Sequence, residues 1–316
     1  MLALACSAFV LSAQGATPPA RAHHSLAYDS EVGAVILTGG STPRDSGRRF
    51  EFFNDLWAFD GARWTAYSPN GAALSGATLA RHTRSGRLFS FGGYNGQSLG
   101  VLRTLENGHW RQLGENSELR VAEPGFAFDS RRQRFVAFGG SGRGSLNGDT
   151  WEFDGSRWMR LEVASPPRRQ AFVMVFDSLR SRVVAFGGMG ARAQPGQRPA
   201  LYGDTWEFDG NRWTQRNAAG PSPRNGAGAA YDSRRGIVIV FGGVDSSGFR
   251  NDTWSWDGSS WKKLAESGPQ PRGMGYLAYD PKRDRVVLFG GRKGWPDGDL
   301  NDTWEWDGRS WRRAAP

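Results

Sequence analysis

Six Gly-Gly pairs, spaced about fifty residues apart, constrain this chain more than any other feature. Their second glycines are Gly40, Gly93, Gly140, Gly188, Gly243 and Gly291, which gives steps of 53, 47, 48, 55 and 48 residues. A near-constant period of this length marks a repeat fold, whose units bury their apolar faces only against one another. The sequence has 316 residues. Six units occupy it from residue 17 onward, so 17–316 reads as one domain rather than two.

Each unit carries four strand signals, A to D. Strand A is small and alternating, as in Gly226 to Tyr231, and leads into a turn at Asp29, Asp129, Asp177, Asp232 or Asp280. Aspartate at such turns hydrogen-bonds the backbone two residues on. Strand B is β-branched and aromatic, as in Ile237 to Phe241, and runs into the glycine pair. Strand C carries Trp57, Trp151, Trp206, Trp254 or Trp304, an Asp-Gly hairpin follows in those five repeats, and strand D opens at Trp64, Trp110, Trp158, Trp213, Trp261 or Trp311. Four antiparallel strands repeated six times predict an all-β, six-bladed β-propeller.

The glycine pair, the spaced aromatic pair and the period together resemble the kelch repeat, in the bacterial form also found in the central domain of galactose oxidase. The resemblance spans about residues 20 to 313. It implies the propeller fold and leaves function open, because that family includes oxidases, a sugar-acid mutarotase and many binding scaffolds. Galactose oxidase-like enzymes hold copper with two His and two Tyr, one of them cross-linked to cysteine. Cys6 is the one cysteine here, and it lies in the apolar opening run, so that cofactor is not expected and none other is implied.

Two departures from the family stand out. The chain starts on strand A and ends after strand D, so ring closure is expected to rest on packing between blades one and six. In blade two, His82 stands at the turn Asp, Leu105 is read in place of the first Trp, and the stretch from Leu105 to Trp110 reads two residues shorter than its counterparts.

Residues 1–16 are apolar, too short to span a bilayer, and end in small residues. They read as a secretory signal, placing the mature protein outside the cytoplasm, although no Lys or Arg precedes the run. A lipid anchor on Cys6 is the weaker reading, because Ala3-Leu4-Ala5 matches the lipobox poorly. No segment reads as transmembrane, and the protein is read as a monomer. The net charge of +9 is spread over every repeat rather than gathered in one block, and the interleaved Trp residues fall at fixed core positions. Nucleic acid is therefore not an expected partner.

The D-to-A and B-to-C connections share one end, and the B-to-C loops differ in every blade, so that end is the expected working face. Arg21, Arg169, Arg224 and Arg272 recur eight residues before the turn Asp, and Asp55, Asp149, Asp204, Asp252 and Asp302 recur at the start of strand C. Two readings stand: an arginine-lined mouth for carboxylate or phosphate, or ties within the scaffold. The irregular loops add Arg44, Phe50, Phe52, Tyr94, Asn95, Arg192, Arg198, Tyr202, Arg292 and Trp295. Arg21, Arg169, Arg224, Arg272, Tyr94, Arg192, Tyr202 and Trp295 are the candidate ligand-binding residues. No catalytic residue is assigned. One of His23 and His24 is expected to face the channel, but a lone histidine makes a poor metal site, so no metal is assigned.

The expected function is an exported module that binds a glycan, an anionic small molecule or a protein partner at the loop face. The alternative is a cofactor-free enzyme acting on a sugar or sugar acid, which needs an acid/base pair at the channel mouth.

Overall fold

A computed structural model describes residues 17–67, 71–194, 196–296 and 298–314, and shows six four-stranded antiparallel blades in a β-propeller. The opening run, with its expected leader and Cys6, lies outside the described residues. Strands A to D are Ser25–Asp29, Ala34–Thr38, Leu56–Phe59 and Trp64–Tyr67 in blade 1, and Ser75–Arg81, Leu88–Tyr94, Val101–Glu106 and His109–Glu115 in blade 2. In blades 3 and 4 they are Gly125–Asp129, Arg134–Phe138, Thr150–Phe153, Trp158–Leu161, then Val173–Asp177, Arg182–Phe186, Thr205–Phe208, Trp213–Arg216. Blades 5 and 6 follow with Gly228–Asp232, Ile237–Phe241, Thr253–Trp256, Trp261–Ala265, then Tyr276–Asp280, Arg285–Phe289, Thr303–Trp306, Trp311–Arg313.

The glycine pairs join the blades. The second glycine of each pair donates its N–H to a carbonyl at the foot of the next blade's strand A: Gly40 to Leu74, Gly93 to Val121, Gly140 to Arg169, Gly188 to Arg224 and Gly243 to Arg272. Gly291 does the same to Arg21, at 2.9 Å, across the seam between the ends of the chain. Both residues of this last pair are left-handed, with φ of 57° and 96°. A Cβ on Gly291 would stand 2.8 Å from the Gly273 carbonyl, so side chains are excluded on two counts.

Aromatic packing repeats at the seams. Six apolar clusters each draw on two adjacent blades, the one at the closing seam joining Phe59 and Trp64 to Val287 and Phe289. The strand D tryptophans of four blades also donate to a threonine that opens strand C of the preceding blade: Trp213 to Thr150, Trp261 to Thr205, Trp311 to Thr253 and Trp64 to Thr303, at 2.8–2.9 Å. Closure therefore uses the same hydrogen bonds as the internal seams, together with the packing expected from sequence. Trp110 and Trp158 lack this bond, because Leu56 and Leu102 occupy the threonine positions of blades 1 and 2, and the Trp158 indole N–H has no acceptor. We expect Trp64→Phe to cost about 1 kcal/mol in urea denaturation and Trp158→Phe clearly less. Equal losses would mean that the seam hydrogen bonds carry no stability.

Strand pairing corrects one reading of blade 2. Arg103, opposite Ser90, takes the place of the first Trp, while Leu105 pairs with Trp110 as Phe59 pairs with Trp64. The distance from 105 to 110 equals that from 59 to 64, so the hairpin has no deletion. His82 does occupy the turn position, accepting from Ser85 N through Nδ1 where Asp129 accepts from Arg132 N.

Candidate functional site

The four repeated arginines are buried in the scaffold, each 0–1 % exposed. Each makes a two-pronged ion pair with the strand C aspartate of its own blade: Arg21 with Asp55, Arg169 with Asp204, Arg224 with Asp252 and Arg272 with Asp302. Each Nη1 also donates to the carbonyl of the first glycine of the pair, at 2.9–3.0 Å. The aspartate in turn accepts from the following strand C tryptophan, as Asp252 does from Trp254 at 2.8 Å. Burial alone would raise the Asp204, Asp252 and Asp302 carboxyls, but the facing guanidinium and indole outweigh it and hold each below the usual range. These arginines clamp strand A, the glycine pair and strand C of one blade.

Blade 3 shows what happens without the clamp. Val121 stands in the arginine position, the Asp149 side chain is 47 % exposed, and the Trp151 indole N–H is left without a partner.

Tyr202 also serves the scaffold. Its ring lies 4.3 Å from the Arg169 guanidinium and packs over Gly190 in its own loop. Tyr94, Arg192 and Trp295 do face out from the loop end. Tyr94, 41 % exposed, meets Phe52 edge-on at 6.0 Å. Trp295, 59 % exposed, spans the closing seam, lying 5.8 Å from Phe50 and over the Arg292 guanidinium, which is itself paired with Asp299. Phe50 and Phe52 alternate along one face of the hairpin formed by Ser41–Arg44 and Arg49–Phe52, so the four rings make a ridge from blade 6 to blade 2.

Beside this ridge lies a cleft of about 700 Å³ that crosses blades 1 to 4 and is lined by Phe50, Phe52, Tyr94, Arg143, Met189 and Arg192, among others. Arg192 and Arg198 are exposed and make no ion pair among the described residues. Arg44 is held by Glu51.

The cleft floor holds a pair that sequence reading missed. His23 Nδ1 lies 2.5 Å from Glu123 Oε1. Both residues stand six positions before the turn residue of their blades, where Gly76, Ala171, Gly226 and Met274 complete a ring in which every φ lies between 51° and 65°. At five of the six seams an N–H of this ring donates to a ring carbonyl of the adjacent blade. The small residue Gly76, between His23 and Glu123, leaves room above it: a Cβ there would come within 2.9 Å of the Glu123 side chain. Aligning the repeats by offset places His23 and Glu123 in one ring, and that was the available signal.

His24 points the other way, into the closing seam. It is fully buried, with edge-on contacts to Tyr276 and Phe289 at 5.5 Å, and neither ring nitrogen makes a well-formed hydrogen bond. Burial first, and then the nearby Arg21 charge, hold its pKa well below that of free histidine. Among the described residues no three His, Asp, Glu or Cys side chains gather as a metal site, and no helix is long and apolar enough to cross a membrane.

Compared with known proteins, the chain matches no protein-family model, and no curated protein matches it significantly.

Proposed function

We propose that this is an exported, kelch-type binding module whose loop-face cleft takes an anionic glycan. The carrying observation is the division of labour among its arginines. Those of the repeat are spent inside the blades, whereas Arg192, which lines a cleft walled by aromatic rings, makes no ion pair among the described residues. Flat aromatic faces pack against the C–H faces of sugar rings, and a free guanidinium matches a carboxylate with two parallel hydrogen bonds. The cleft volume falls within the range of ligand sites. The glycine pairs and the aromatic spacing support the kelch relationship, and the apolar opening run supports export.

The test is a thermal-shift titration of the protein with oligogalacturonates and with neutral oligosaccharides of equal length. At a hundred times its dissociation constant a ligand adds about 2.7 kcal/mol of stability. The acidic oligomers are expected to raise the melting temperature, and Tyr94→Ala and Arg192→Ala to abolish the shift without changing the melting of the free protein. A response to neutral and acidic sugars alike, or one indifferent to both substitutions, would refute this reading.

The His23–Glu123 pair favours a second reading, a cofactor-free enzyme that moves a proton on a sugar acid at the cleft floor. Mutarotation of an anomerically pure sugar acid, followed by NMR, decides it. A rate above buffer that falls in His23→Ala supports the enzyme, and a rate equal to buffer rejects it.

A further inference from the structure

The opposite end of the channel carries a different cavity, of about 310 Å³, in contact with the innermost strand of every blade. Its lining includes the residue just before the turn in each blade: Tyr28, Arg81, Phe128, Phe176, Tyr231 and Tyr279. Five of these six equivalent positions are aromatic, and blade 2 alone supplies a cation.

The neighbouring acids are largely neutralised. Asp129, Asp177, Asp232 and Asp280 each pair with the arginine three residues on, at 2.6–2.7 Å. Asp29 has Val32 at that place and is buried, its Oδ1 accepting from the N–H groups of Glu31 and Val32. Its field reaches Arg81, but no ion pair forms between them. Among the described residues Arg81 makes no ion pair or hydrogen bond, and the Tyr28 hydroxyl makes no hydrogen bond. The hydroxyls of Tyr231 and Tyr279 are engaged, with Leu179 N and Asp284. Glu123 is the other charged side chain lining the cavity, towards the loop-face end, where it meets His23.

We propose that this mouth is a second binding site, taking a small planar monocarboxylate. The carboxylate sits on the Arg81 guanidinium with the Tyr28 hydroxyl as a further donor, and the planar body lies among the rings of Phe128, Phe176 and Tyr279. Glu123 repels an anion from the inner end and so fixes the orientation. The site stands where the repeats differ, and it does not depend on the loop-face reading.

The test is isothermal titration of the full chain with phenylacetate, using 2-phenylethanol as the uncharged match. Saturable one-site binding of phenylacetate is expected, with 2-phenylethanol at least about tenfold weaker. Arg81→Met should weaken phenylacetate about tenfold or more, and Arg81→Lys, which keeps the charge but loses the planar fork, by less. Tyr28→Phe removes only a hydroxyl and should cost a few-fold, which decides the matter if Arg81→Met proves unstable. Leu113→Ala, on the outermost strand of blade 2 and in neither cavity, should leave phenylacetate binding unchanged. No saturable binding at millimolar phenylacetate, equal affinity for the alcohol, or indifference to both Arg81→Met and Tyr28→Phe would overturn the proposal.

Discussion

Arg224→Ala is expected to destabilise the protein by about 3–5 kcal/mol, the loss typical of breaking a buried ion pair from one side. The side chain is 1 % exposed and makes five hydrogen bonds, two to Asp252 and the others to the Gly242 carbonyl, the Ser222 carbonyl and the Ser222 hydroxyl. Truncation leaves the Asp252 carboxylate, itself mostly buried, with one indole donor. Replacing both partners is a different matter, because a buried pair exchanged for apolar groups is often nearly neutral. Blade 3 already holds Val121 where the arginine would be, and it forms the same four strands. Arg224→Met with Asp252→Leu should therefore recover most of the stability lost in Arg224→Ala. Chemical denaturation of the parent and the two variants checks this. An Arg224→Ala variant within about 1 kcal/mol of the parent would mean that the clamp is not structural, and would return these arginines to the ligand-binding reading.

The second large effect is expected on acidification. A folded-state pKa held below the unfolded value means that the unfolded chain takes up the proton first, so stability falls as pH drops below about 6.5. For His24 the slope approaches about 1.4 kcal/mol per pH unit, and it persists down to the lowered folded pKa. Phe172 fills the corresponding position of blade 4, edge-on to Phe138 at 5.6 Å, so His24→Phe should fit the closing seam. Between pH 7.5 and pH 5, wild type should lose more stability than His24→Phe, by up to about 2 kcal/mol. The clamp aspartates do not contribute in that window. Their folded pKa values are lowered, so their stabilisation is present above the unfolded value near 4 and disappears only at lower pH. Urea denaturation of both proteins at the two pH values is the measurement. Parallel losses would show that His24 is not a buried neutral group in the folded protein.

The consequence is a ring whose closing seam, where the histidine is fully buried, is more acid-sensitive than the blade 2–3 seam, where burial also lowers the pKa of the partly exposed His82. Every seam is held by a glycine N–H, and the closing seam also by the Trp64–Thr303 bond. Only there does an ionisable ring take the place that blade 4 gives to phenylalanine. Acid lability and ring opening should therefore coincide, and amide exchange in Tyr276–Asp280 and Ser25–Asp29 should accelerate first below pH 6.5.

Much of the architecture was legible from residues because its causes are local and repeated. A turn aspartate, a β-branched strand, a glycine pair and an Asp-Gly hairpin each impose their own backbone geometry, and six copies at one period leave a propeller as the solution. Strand register in blade 2 was not legible, because Arg103 and Leu105 both interrupt the aromatic pattern and only the partners Ser90 and Trp110 distinguish them. Nor could spacing separate an arginine that lines a mouth from one that clamps a blade. Arg224 recurs at a fixed offset and Arg192 does not, but what decides that Arg224 is a clamp is a carboxylate brought up from twenty-eight residues away.

The sequence by itself determined the blades, their number and their order, since each depends on contacts within about fifty residues. The tertiary structure alone decided which charges are spent and which are free, because folding of each blade carries its aspartate onto its arginine, and the ring brings residues from different repeats to one axis. His23 meets Glu123 across one hundred residues at one mouth, and Arg81 joins aromatic residues from the other five blades at the opposite mouth. Both arrangements follow from equal offsets in unequal repeats, and neither exists until the blades are assembled side by side.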